Sequence, residues 1–148
     1  MDTLDVLKKA EEEGGPVRRE AMTELLKMAR DIGCRYTVSG GRTGGFNLRY
    51  GSIRYYIMDI YCDGGVILHI KPHPDKDITD DQRDEANEFL EGLGELEISN
   101  MPVNHYTQLE DPIEEIPMDA LEEFLEYIVS FIREHYYKPH LERQQQSF

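Results

Sequence analysis

Hydrophobic positions change their spacing twice along the chain, and the changes mark its elements. Leu4, Leu7 and Ala10 recur at helical spacing until Gly14-Gly15, which predicts a first helix over 3–13. Pro16 suits the first position of a new helix, where its missing N–H has no intrahelical bond to lose. Met22, Leu25, Ala29 and Ile32 follow on one helical stripe, and Gly33 stands where a left-handed cap belongs. The second helix is therefore expected over 16–32. From Cys34 the spacing becomes two. Cys34, Tyr36 and Val38 alternate with Arg35, Thr37 and Ser39; Phe46, Leu48 and Tyr50 alternate with Asn47 and Arg49. Between these runs lies the loop Gly40-Gly41-Arg42-Thr43-Gly44-Gly45, and after them Gly51-Ser52 reads as a turn or bulge. Ile53 to Cys62 is apolar or aromatic on both faces apart from Arg54 and Asp59, as a strand buried on two sides would be. Asp63-Gly64-Gly65 is a hairpin signal before a strand from Val66 to Ile70.

Helical spacing then returns. Thr79 and Gln82 form a capping box, and Asp80 and Asp81 fall where the helix dipole favours anions. Ala86, Phe89, Leu90 and Leu93 give this helix, 80–92, one narrow apolar face. Leu96, Ile98 and Met101 to Val103 predict another strand, and 104–117 a loop with a short edge strand near Tyr106 to Leu109. The last helix, 118–137, has the clearest stripe: Leu121, Phe124, Leu125, Ile128, Ile132 and His135. Asp119 with Glu122 is expected to cap it. Val129, Phe131 and Tyr136 widen the stripe, which predicts contacts beyond one sheet face or a partner helix. The whole pattern specifies a single α+β domain over 1–137: a twisted antiparallel sheet of four or five strands with helices packed on one face. The element order is α-α-β-β-β-(β)-α-β-α, and 138–148 is a polar, frayed tail.

Charge adds an asymmetry that the pattern alone does not show. The 148 residues carry a net charge of −14. Residues 1–74 are nearly balanced, at +1, whereas 75–148 carry −15, the whole of the negative excess. No acidic residue occurs from Ile32 to Met58, yet Arg35, Arg42, Arg49 and Arg54 all fall there. A chain this acidic repels nucleic acid at long range, although a local arginine face can still hold a phosphate. No apolar run approaches the ~20 residues a bilayer span needs. The opening residues MDTLDVLKKAEEE lack the apolar core of a secretory signal, and with only Cys34 and Cys62, each in a strand-like stretch, the expected location is the cytoplasm with both thiols buried and reduced.

The motifs that could carry chemistry mostly fail on spacing. Asp75, Asp77, Thr79 and Asp81 alternate like a calcium loop, but Asp80 and Ala86 occupy the places where such a loop needs Gly and Glu. His69 and His73, with Asp75 close by, are separated by about 13 Å if the chain is extended, too far for one metal. His105, His135 and His140 have no convergent partner in the sequence. GGRTGG lacks the Lys-Ser/Thr and the helix of a phosphate loop, which leaves at most an anion nest around Arg42. No nucleophile elbow or zinc-protease motif occurs, and the glutamate pairs Glu114/Glu115 and Glu122/Glu123 read as solvated faces. No catalytic residue, metal ligand or cofactor is therefore expected, and nothing in the pattern calls for an enzyme.

The strands FNLRYG, IRYYIMDIYC and VILHI, the helix ITDDQRDEANEFLEGL, the strand ELEIS and the final helix MDALEEFLEYIVSFIREHYY together resemble the type III secretion chaperone and YbjN-like group. The resemblance covers roughly residues 17–137 and lies in element order, length and acidity. It implies a dimeric, non-catalytic holder of other polypeptides. The expected function is accordingly a protein-binding or chaperone-like module, acidic and homodimeric, with Tyr55, Tyr56, Met58, Phe131 and Tyr136 as the apolar residues in excess of one core. The alternative is a nucleic-acid or phosphate-ligand binder that uses Arg35, Arg42, Arg49 and Arg54, interleaved with tyrosines on a sheet face.

Overall fold

A computed structural model describes residues 2–39, 43–50, 55–69, 79–93 and 106–134. Two helices lead, α1 over Thr3–Gly14 and α2 over Pro16–Ile32. Asp2 caps α1 through a reciprocal box with Asp5, which satisfies two of the N–H groups a helix start leaves open. Gly15, at φ 83°, ends α1 and begins α2 in one residue. Gly33 closes α2 at φ 104°, the left-handed conformation that a side chain strains.

Five strands follow in a meander: β1 Cys34–Ser39, β2 Gly45–Tyr50, β3 Tyr55–Tyr61, β4 Val66–His69 and β5 Tyr106–Gln108. Each pairs antiparallel with the next, so the sheet order is the sequence order and β1 is an edge. Leu48 faces Met58 and Arg49 faces Tyr56, so Ile57 is one residue extra, a bulge that turns β3 out of strict alternation. This explains why Ile57 and Met58, neighbours in sequence, are both fully buried. The β3–β4 hairpin turns at Gly64, φ 94°, where an added Cβ would stand 2.7 Å from Pro112. Asp63 steadies the turn by accepting from the Gly65 N–H at 2.9 Å.

After the sheet comes α3, Asp80–Leu93, with the Thr79–Gln82 capping box in place. It continues through Gly92 rather than stopping there. A short 3-10 turn, Ile113–Glu115, leads into α4, Met118–Ile132. The cap expected from Asp119 and Glu122 is not formed. Pro117 holds the N-cap position with no side-chain bond, and Asp119 falls inside the first turn, where its charge meets the helix dipole instead. Arg133 and Glu134 continue α4 as a wider turn. The expected strand at Leu96 to Val103, the Gly51-Ser52 turn and the tail 138–148 lie outside the described residues.

Alternation decides what the sheet buries. Phe46, Leu48, Met58, Ile60, Val66 and Leu68 share one face and one core with Met22 and Leu25 of α2 and with Leu121, Phe124 and Ile128 of α4. The helices thus cover one side of the sheet, as the sequence pattern predicts. Among the described residues the wide stripe of α4 is absorbed within the chain. Phe89 of α3 stacks on Tyr127 at 4.1 Å between ring centroids, and Phe131 leans on the same ring at 6.3 Å. No helix among the described residues is long and apolar enough to cross a membrane.

Candidate functional site

Three groups of side chains stand apart from the apolar core. The first locks α2 to the far end of the chain. Arg18, only 9% exposed, donates from Nε to both oxygens of Glu114 and from Nη2 to Oε1 at 2.7 Å. Its Nη1 donates to the Cys62 carbonyl at 3.2 Å, tying in the end of β3. Glu114 in return strengthens the proton affinity of Arg18 through their hydrogen bonds, burial working against it. Burial alone would raise the Glu114 carboxyl. The bond from Arg18, a backbone N–H and the guanidinium charge outweigh it and hold the carboxyl below the usual range. This is a structural clamp with every partner internal.

The second group lies on the sheet face opposite the helices. Asn47 donates to Asp59 Oδ1 at 2.6 Å, and the other carboxylate oxygen meets His69 Nε2 at 2.7 Å. Asn47 is directly opposite Asp59 in the register, and His69 is its diagonal neighbour on β4. Asp59 is 7% exposed, and a carboxylate so deep needs both oxygens engaged. The row stitches three strands together. On the same face Arg35 and Arg49 stand opposite each other, and Arg49 donates to Thr37 at 3.3 Å.

The third group surrounds an open groove of about 460 Å³ between α1, α2 and the edge strand β1. Leu7, Leu26 and Cys34 make its apolar floor; Lys27 and Arg30 stand beside it on α2, and Arg35 borders it on the edge strand with its side chain on the opposite sheet face, all three exposed. Lys27 and Arg30 share a helix face by their spacing. At one end the Thr3 and Tyr36 hydroxyls are hydrogen-bonded at 3.2 Å, bridging α1 to β1. Tyr36 is held edge-on by Phe46, centroids 5.2 Å apart, yet it remains 40% exposed. Leu4 of α1 is also exposed, one turn before Leu7. The groove volume falls within the roughly 300–1,000 Å³ of ligand clefts. Burial pushes the Cys34 thiol up to about 11, so it meets an occupant as a neutral, weakly polar group.

The residues singled out in the sequence divide among these places. Met58 and Phe131 are core, 0% and 5% exposed, and present no surface to a partner. The apolar excess they represented is taken up by the β3 bulge and by the aromatic contacts of α4. Tyr55 and Tyr56 take their positions in β3 opposite Tyr50 and Arg49, while Tyr136 lies outside the described residues. Of the four arginines, Arg42 and Arg54 also lie outside. Arg35 and Arg49 point to one sheet face and Tyr36 and Tyr50 to the other, because strand alternation separates adjacent residues. The two kinds of side chain therefore do not share a stacking surface at these positions. Cys34 and Cys62 are both free and buried. Among the described residues no cluster of three or more His, Cys, Asp or Glu could hold a metal.

Sequence reasoning missed the groove, the Arg18–Glu114 clamp and the Asn47–Asp59–His69 row. Only the first had a signal: three cations, Lys27, Arg30 and Arg35, crowd the end of one helix and the start of the next strand. Set against known proteins, the chain matches no protein-family model, no curated protein and no solved structure.

Proposed function

We propose that this chain is a non-catalytic protein-binding module, chaperone-like in its mode of action, and that the groove between α1, α2 and β1 is its docking surface. One observation carries the reading: an apolar floor open to solvent beside an edge strand whose residues Arg35, Tyr36 and Thr37 are all exposed. An apolar hollow at a sheet edge is a place a monomer leaves uncovered only at some cost in solubility, and a partner's side chain removes that surface from water. A floor of three apolar residues is large enough to seat one anchoring side chain, the usual centre of a binding hot spot. The Arg18 clamp and the Asp59 row support the reading from the other side, since their hydrogen bonds are spent within the fold.

Homodimerisation, if it accompanies this role, uses another surface. A two-fold pairing of β1 edges would set the cationic rim of one copy against that of the other, which like-charge repulsion opposes.

A phage-displayed library of random dodecapeptides, selected on the immobilised chain, tests the proposal. Enriched sequences are expected to lose binding to Thr23→Trp, which projects an indole into the groove, and to retain it with Glu122→Ala on α4. No enrichment, or enriched peptides indifferent to the Thr23→Trp change, would overturn it.

A further inference from the structure

We infer that the groove takes an acidic–apolar peptide segment: one large aliphatic or aromatic side chain on the Leu7–Leu26–Cys34 floor, with carboxylates reaching Lys27 and Arg30 of α2. The inference rests on the protein-binding reading and names the class of partner.

Charge decides the class. The groove lining contains three cations and no carboxylate, in a chain of net charge −14. Among the described residues none of Lys27, Arg30 and Arg35 is in an ion pair. Two other hollows are richer in carboxylates. One is lined by Glu24, Asp31, Asp119, Glu122 and Glu126 with Lys27 at its border, another by Asp63, Glu110 and Asp111 with Arg18. A basic segment would therefore be drawn to those two hollows and repelled at this groove. Among these hollows an acidic one meets favourable charge here. At physiological salt a charge is felt over roughly 8 Å, so the local rim, not the distant acidic half, sets the preference. Arginine favours carboxylates further because its planar fork can bond both oxygens. The groove is open, with Tyr36 partly exposed on its wall, which suits a side chain carried on a polypeptide better than a ligand that must be enclosed.

Three fluorescein-labelled, end-capped hexapeptides test it: Glu-Glu-Leu-Phe-Glu-Glu and its glutamine and lysine counterparts, followed by fluorescence anisotropy. The acidic peptide is expected to bind at least about tenfold more tightly than the neutral one, a difference of about 1.4 kcal/mol. Raising the salt is expected to narrow that gap. The double variant Lys27→Glu, Arg30→Glu should invert the order, so that the lysine peptide binds best. Both positions are exposed, and far-UV circular dichroism verifies that the fold is kept. Equal binding of acidic and neutral peptides, with both lost in Thr23→Trp, would refute the carboxylate preference and leave the protein-binding reading standing. The same holds if none of the three binds while the library still yields sequences sensitive to Thr23→Trp. Failure of both the hexapeptides and the library removes both readings. Decanoate binding in the groove where the acidic peptide does not bind would show a small amphipathic anion as the occupant and overturn the peptide.

Discussion

Replacing Glu114 with Gln keeps the shape of the side chain and removes its charge, leaving Arg18 with a neutral amide in place of a bidentate carboxylate. Three of the guanidinium's bonds go to Glu114 and one to the Cys62 carbonyl, and the two side chains are only 11% and 14% exposed. Breaking a buried pair by removing one partner costs about 3–5 kcal/mol. The residual exposure and the retained amide oxygen reduce this, so about 2 kcal/mol is expected. With a urea slope of about 1–3 kcal/mol per molar, the unfolding midpoint should fall by roughly 1 M. The double variant Arg18→Met, Glu114→Gln separates the pair from its members. Its loss should be smaller than the sum of the two single losses, because neither charge is then left without the other. Acid unfolding gives a second readout. Glu114 titrates lower in the folded chain than when unfolded, so the unfolded state takes up its proton first. The clamp's contribution is therefore complete above the unfolded carboxylate value of 4.5 and is lost as pH falls through the depressed folded value. Wild type and Arg18→Met should accordingly converge in stability as the medium is acidified. A Glu114→Gln midpoint within experimental scatter of wild type, or strictly additive single losses, would refute the clamp as a net stabilising contact.

Other substitutions probe the sheet and the helices. Gly64→Ala combines a left-handed backbone with a close approach to Pro112 and should cost about 1–3 kcal/mol in urea unfolding. Asp59→Ala removes the bonds that Asn47 and His69 make to its carboxylate and should lower stability by about 1–3 kcal/mol, with amide exchange of β2 to β4 accelerating before that of α4. The Tyr127 hydroxyl is buried without a hydrogen-bond partner among the described residues, and burial, aided by Glu85, pushes its ionisation up to about 12. Tyr127→Phe should therefore leave thermal stability unchanged or raise it by about 1 kcal/mol, a sign opposite to that of most core changes. With its thiol near 11, Cys34 should react with iodoacetamide at mildly alkaline pH far more slowly in the folded chain than after unfolding in urea, as mass spectrometry would show.

The amino-acid order by itself determined the elements, because element type depends on spacing that neighbouring residues share. Period 3.6 in Met22, Leu25 and Ala29 and period two in Phe46, Leu48 and Tyr50 each choose a backbone whose one face can be buried. Turn chemistry is local too, which is why Gly33, Asp63-Gly64 and Thr79–Gln82 act in the structure as their residue types require. The α4 cap failed as a sequence inference because Pro117 settled the helix entry two residues earlier. What only tertiary structure decided is which residues from distant elements meet. Arg18 and Glu114 are 96 residues apart, and no spacing rule couples them. Met58 and Phe131 looked surplus to a core until a bulge and the α3 aromatic contact gave them places inside it. The groove exists for the same reason: its floor comes from a helix, a second helix and a strand, and a concave surface belongs to their packing rather than to any one of them.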